Sequence, residues 1–187
     1  TSMTYDSNFV WVGSNDGISR IDPETKRSLP LKYDTNIRFD PSLRNEIVYD
    51  IESIDEEIWI GTRYNVFIYD KITDLFYDFR DFGDIQKLDG QENLFSNFWD
   101  IEEFKNLVYI SSKQGLISYD KITRDWKLIF RSHSFKQQKI NTMVFNENFG
   151  FFGTNSGLLK FDFNHYFLDE YSYPFLGNVN TLYLNGD

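Results

Sequence analysis

Four short segments share one pattern of apolar and small residues: Val10-Trp11-Val12-Gly13-Ser14, Ile58-Trp59-Ile60-Gly61-Thr62, Val108-Tyr109-Ile110-Ser111-Ser112 and Gly150-Phe151-Phe152-Gly153-Thr154. Each carries an aromatic ring in second place and ends on small residues. With positions 13, 61, 111 and 153 as anchors, the spacings are 48, 50 and 42 residues, within the roughly 40–50 residues of a propeller blade. Four residues past the anchors stand Gly17, Asn65, Gly115 and Gly157; nine past stand Asp22, Asp70, Asp120 and Asp162. Thr25, Thr73 and Thr123 follow at a third offset, where the fourth repeat has His165. Gly and Asn tolerate positive φ, so the first set predicts a tight hairpin between two strands, with Asn65 sharing the glycines' conformation. The Asp set predicts a second turn, because an aspartate carboxylate accepts the backbone N–H groups just downstream.

Apolar runs flank each anchor. Inner strands are predicted near 47–54, 98–104 and 140–145, and outermost strands at Leu75–Phe79, Trp126–Phe130 and Tyr166–Tyr171. Four short antiparallel strands per repeat make the fold class all-β, a β-propeller of about four four-stranded blades. We read residues 1–187 as one propeller domain or propeller fragment, with repeats near 8–36, 43–80, 94–131 and 139–172. The first repeat lacks an inner strand in this reading. A final inner strand near 179–184, within 178–187, is expected to supply it, so two arrangements stay open: a small closed ring, or part of a larger propeller.

Composition narrows the function classes. Aromatic residues make up 19% of the chain, and aromatic and β-branched residues favour strands. A formal charge of −10 without a basic stripe repels phosphate backbones, so no nucleic-acid partner is expected. The absence of cysteine removes disulfides, thiol catalysis and thiolate metal sites. No apolar run approaches the ~20 residues of a membrane helix, so no direct membrane insertion is expected.

Candidate chemistry is sparse. His133 and His165 occupy unrelated repeat positions, so no metal site and no cofactor is expected. Asp81-Phe82-Gly83 spells a kinase motif without the rest of a kinase. Carboxylates such as Asp55-Glu56-Glu57 and Glu102-Glu103 keep a hydrolase or lyase reading open, since two of them across a cleft can cleave a glycosidic bond. Asp55-Glu56-Glu57 nevertheless falls in a predicted exposed turn, where charge is ordinary.

The second repeat reads Leu43-Arg44-Asn45-Glu46-Ile47-Val48-Tyr49-Asp50-Ile51, then Asp55, then Ile58-Trp59-Ile60-Gly61-Thr62; the third has Leu94-Phe95-Ser96-Asn97 before Trp99-Asp100-Ile101. This resembles the two-component regulator propeller repeat, with its Leu-Ser-Asn stretch, apolar strand, acidic turn and Leu-Trp-Ile-Gly-Thr strand followed by Gly-Leu and Asp. The third repeat departs at Ser111 and the fourth at Phe151. The resemblance covers nearly the whole chain. It implies the periplasmic sensor region of a hybrid histidine kinase of the Bacteroidetes type, a periplasmic or extracellular location, and signals such as carbohydrate breakdown products. Similar repeats also serve as scaffolds, so a protein partner or a homodimer is the alternative to an oligosaccharide.

In a propeller, the hairpins between second and third strands share one face with the blade-to-blade links. Here that face carries Asn15, Arg63, Tyr64, Lys113, Gln114 and Asn155 on hairpins and Asn97, Trp99 and Asn141 where links enter inner strands. Amides, cations and aromatic rings suit a polar ligand with stacking faces. The link from Arg80 to Asn97 is the longest, and long loops in compact domains are often functional. These nine residues are the expected ligand-binding set, without catalytic or metal-binding members.

Overall fold

A computed structural model of the chain describes residues 2–31, 43, 45–82, 96–131, 139–171 and 177–184. Its strands form four four-stranded antiparallel sheets, each paired in chain order. The first holds β1 (Ser2–Tyr5), β2 (Val10–Ser14), β3 (Gly17–Asp22) and β4 (Arg27–Leu29). The second holds β5 (Val48–Ile54), β6 (Glu57–Thr62), β7 (Val66–Asp70) and β8 (Leu75–Asp78). The third holds β9 (Asp100–Phe104), β10 (Leu107–Ser112), β11 (Gly115–Asp120) and β12 (Trp126–Arg131). The fourth holds β13 (Ile140–Phe145), β14 (Phe149–Thr154), β15 (Gly157–Asp162) and β16 (Phe167–Tyr171). The first strands lie side by side, β1 against β5, β5 against β9 and β9 against β13. These are the blades of a β-propeller, and the only helical piece among the described residues is a 3-10 turn at Phe79–Asp81.

Residues opposite each other in antiparallel strands share a face. In the first three blades one cross-strand row points at the next blade: Trp11, Arg20 and Leu29; Trp59, Ile68 and Tyr77; Tyr109, Ser118 and Lys127. The equivalent row of the fourth blade is Phe151, Lys160 and Asp169. Trp11 meets Tyr69 of the second blade at 4.9 Å between ring centroids. Trp59 meets Tyr119 and Trp126 of the third at 5.4 and 6.1 Å. The second and third blades are therefore buried on both faces, which is why their strands carry apolar residues on both sides.

The four Asp turns form as expected. Asp22, Asp70, Asp120 and Asp162 each accept two downstream backbone N–H groups at 2.8 and 3.1–3.2 Å. His165 substitutes for the threonine of the other repeats, its Nδ1 lying 2.8 Å from Asp162 Oδ2. Each turn then places one residue, Lys26, Asp74, Arg124 or Tyr166, at positive φ.

Three expectations are corrected. Asn65 has no positive φ, unlike Gly17, Gly115 and Gly157. Its buried side chain builds the hairpin instead: Oδ1 accepts Val66 N at 3.0 Å and Nδ2 donates to Asp78 Oδ2 at 2.6 Å. Second, the first blade has its own inner strand, β1, in register with β2 from Ser2↔Gly13 to Tyr5↔Val10. Third, residues 177–184 form no strand. They run beside β13, where Val179 N donates to Thr154 O at 2.8 Å and Asn141 Nδ2 reaches Val179 O at 3.1 Å. With β1 already pairing with β2, the first blade has no vacant inner edge for them. Among the described residues no ladder joins the fourth blade to the first.

The two kinds of hairpin respond differently to substitution. A side chain at Gly115 (φ +145°) would collide with the Phe130 carbonyl, so Gly115→Val is expected to cost roughly 1–3 kcal/mol. Asn65→Gly removes two hydrogen bonds from a buried site and is expected to cost about as much. Urea unfolding of both variants checks this; a neutral Asn65→Gly would restore the shared-turn account.

Candidate recognition surface

The hairpin face is stitched by backbone bonds between each hairpin and the neighbouring links. Gly17 N donates to Glu46 O, Arg63 N to Ile47 O, Asn97 N to Arg63 O, Lys113 N to Ser96 O, and Asn155 N to Lys139 O. The same repeat that builds the blades thus draws the expected binding residues onto one face. They divide into two kinds. Gln114, Asn97, Asn155 and Asn141 are engaged within the protein: Ser96 N donates to Gln114 Oε1 at 2.8 Å, Tyr49 Oη to Asn97 Oδ1 at 3.2 Å, Lys139 N to Asn155 Oδ1 at 3.0 Å, and Asn141 Nδ2 to Asn178 Oδ1 at 2.7 Å. Arg63, Tyr64, Asn15 and Lys113 face solvent. Tyr64 is 61% exposed and has the Arg63 guanidinium 5.2 Å from its ring centroid. Half-buried Trp99 has the Lys139 ammonium at 5.0 Å. Most of the long link between Arg80 and Asn97 lies outside the described residues, as does His133.

Sequence reasoning named Glu102 but missed the cluster of acids on the inner strands to which it belongs. Ser2, Asp50, Asp100 and Thr142 stand opposite Gly13, Gly61, Ser111 and Gly153. Glu52 and Glu102 follow two residues on. Asp50 joins neighbouring blades: Oδ1 accepts Ser2 Oγ at 2.7 Å and Oδ2 accepts Ile101 N at 2.8 Å. Burial pushes the Asp50 carboxyl up against those hydrogen bonds, and pushes Asp100 well above the usual carboxylate range, with Asp50 and Glu102 adding repulsion. Glu52 is pushed up to about 7 by burial and by Asp50, Glu102 and Glu103; Glu102 also reaches about 7, through burial and Asp50. Asp100 Oδ2 is buried without a hydrogen-bond partner. The signal was available, since Asp50 and Asp100 share one offset from their anchors and Glu52 and Glu102 another. Among the described residues no group of three or more His, Asp or Glu side chains could hold a metal ion, and no helix is long and apolar enough to cross a membrane.

No protein-family model and no curated protein matches the chain. Solved structures do. The extracellular domain of BT4673, described as a hybrid two-component system of B. thetaiotaomicron, is 18% identical with a TM-score of 0.69, over 93% of this chain and 22% of that one. The extracellular domain of BT3049, similarly described and from the same organism, is 15% identical with a TM-score of 0.73, over 95% of this chain and 25% of that one. The computationally designed protein Ika4 is 17% identical with a TM-score of 0.58, over 87% of this chain and 89% of that one. The chain thus spans no more than a quarter of the two natural domains. At these identities the likeness is one of fold.

Proposed function

We propose that the chain is a non-catalytic recognition propeller of the two-component sensor kind, working in the periplasm or outside the cell. It reads a carbohydrate or another signal on its hairpin face. The observation that carries this reading is the pair of aromatic–cation partners on that face, Arg63 over Tyr64 and Lys139 over Trp99. A sugar ring stacks on an exposed aromatic face, and cations and amides pair with its hydroxyls. The similar folds of the two extracellular domains support the sensory setting. The inner-strand acids weigh against catalysis because Asp50 is committed to joining blades.

A second reading, a protein–protein or dimerisation scaffold, is favoured by exposed Met3 and Tyr5 on β1. Glycan-array binding followed by titration separates the two. For the first reading, Tyr64→Ala and Arg63→Ala each weaken binding about tenfold, the equivalent of ~1.4 kcal/mol. Binding that ignores both changes and is lost on altering Asp55-Glu56-Glu57 puts the site on the opposite face. No glycan binding, together with a dimer broken by Met3→Asp, establishes the scaffold.

A further inference from the structure

The three clefts between consecutive blades use equivalent positions but are filled unequally. In the first, Trp11, Arg20 and Leu29 face Tyr69 and Phe76. Arg20 occupies the middle, donating to Tyr69 Oη at 2.6 Å and to Pro30 O at 3.0 Å, with its guanidinium 5.1 and 5.6 Å from the Phe9 and Trp11 rings. In the second, Trp59, Ile68 and Tyr77 face Tyr119 and Trp126. Phe82 is inserted there, 5.7 Å from Trp59 and 5.3 Å from Tyr119, and its carbonyl accepts Trp126 Nε1 at 2.6 Å. In the third, the same positions hold Tyr109, Ser118 and Lys127 against Phe161 and Leu168. Tyr for Trp, Ser for Arg or Ile, Phe for Tyr, and Leu for Phe or Trp each withdraw volume, and Lys127 reaches into solvent. Tyr109 is stacked on Phe145 at 4.4 Å. What is left is a cavity of about 520 Å³, in the range of small-molecule sites.

Its lining is not simply depleted. Phe163 stands where the second and third repeats have Lys71 and Lys121, cations that bind Asp55. Tyr166 stands where the other repeats have Lys26, Asp74 and Arg124, at positive φ and 72% exposed. The first repeat has Pro23 at the Phe163 position, so both positions are aromatic only beside this cavity. A bulky exposed ring at positive φ is strained and leaves apolar surface wet, which a molecule in the cavity would cover.

We infer that the cleft between the third and fourth blades, floored by Tyr109, Ser118, Phe161 and Phe163 and flanked by Tyr166, binds a one- or two-ring aromatic compound carrying a polar substituent. The depth is built of rings, which favour ring partners at 4.5–7 Å. The exposed rim supplies Thr123 and Lys127 for the substituent. A sugar would find polar partners at the rim, where Asp120 and Asp125 also stand, but hydroxyls turned to the ring-built floor would go unpaired at about 1–3 kcal/mol each. This pocket is separate from the hairpin face and independent of its reading, because it is bordered by the Asp120 turn on the opposite side of the blades.

The test follows 5-fluoroindole by 19F NMR against the whole chain, with 2-fluoro-2-deoxyglucose as the sugar probe. Saturable binding of 5-fluoroindole is expected. Ser118→Ile, which installs the residue of the second cleft, should weaken it tenfold or more; Tyr166→Ser, which removes an exposed ring set edge-on to Phe161 and under Lys127, should weaken it severalfold. Tyr64→Ala should leave it unchanged while affecting any hairpin-face ligand. No saturable binding would reduce the cavity to a packing defect and overturn the proposal, as would equal binding by Ser118→Ile and Tyr166→Ser. Saturable binding of the sugar probe in place of 5-fluoroindole would overturn the ligand class.

Discussion

Trp59→Ala is expected to destabilise the chain by about 3–5 kcal/mol, the range for truncating a large buried aromatic. In a domain of this size, that lowers the melting temperature by roughly 10 °C. Trp59 has no exposed surface. It lies against Phe82, Tyr119 and Trp126, so its loss opens the junction of the second and third blades rather than one sheet. Its Nε1 also donates to Glu57 Oε2 at 2.8 Å, and truncation leaves that carboxylate without the donor. The repeat supplies an internal control. Phe151 occupies the same offset in the fourth blade but is only half-buried, so Phe151→Ala should cost well under half as much. Equal losses by thermal or urea unfolding would mean that blade-to-blade packing is not what holds the array together.

What the sequence made legible follows how local each feature is. The Asp turns depend on bonds spanning two or three residues, so the offsets of Asp22, Asp70, Asp120 and Asp162 were enough to place them, even where His165 replaced threonine. The blades were legible for the same reason, since antiparallel strands joined by short turns need only alternation and turn chemistry. Asn65 was misread because permission to adopt positive φ is not a requirement to do so. Its amide found a partner thirteen residues away, Asp78, which no offset rule contains. The inner strand of the first blade was misassigned to the chain's other end because Ser2–Tyr5 is too short to stand out as a run. That the expected binding residues share one face was legible, but their side-chain partners were not. Arg63 and Tyr64 present themselves outward, whereas Gln114 and Asn155 are spent on joining hairpins to links and Asn97 on Tyr49 of β5. The third cleft was hidden, because its cavity emerges only when rows from two blades are set against each other.

Raising the pH from 5 to 8 is expected to destabilise the fold, by at least about 3 °C in melting temperature, what roughly 1 kcal/mol moves in a domain of this size. Glu52 and Glu102 have pKa values of about 7 in the folded chain against an ordinary 4.5, and Asp50 and Asp100 are raised as well. The unfolded chain therefore releases the two glutamate protons near pH 4–5, whereas the folded chain keeps them until about pH 7, and burial holds the Asp50 and Asp100 protons above the ordinary aspartate range. Across that interval the folded state binds more protons, so stability falls as pH rises. Below the ordinary values both states are protonated and the contribution is fully present; above about 7 it has been lost. Glu46 and Glu57, raised by burial, act in the same direction; Asp78, held down by its bonds to Arg80 and Asn65 against the effect of burial, acts oppositely but at lower pH, contributing above the ordinary aspartate value and losing that only in acid. Glu52→Gln and Glu102→Gln should flatten the decline between pH 5 and 8 and raise stability at pH 8, because each removes one charge from a group that repels its neighbours. Added salt should also help more at pH 8 than at pH 5, since it screens repulsion that exists only when the acids are ionised. Melting curves across this range decide the matter: a temperature that climbs from pH 5 to 8, or a slope untouched in the double glutamine variant, would mean that the inner-strand acids are not held protonated by the fold.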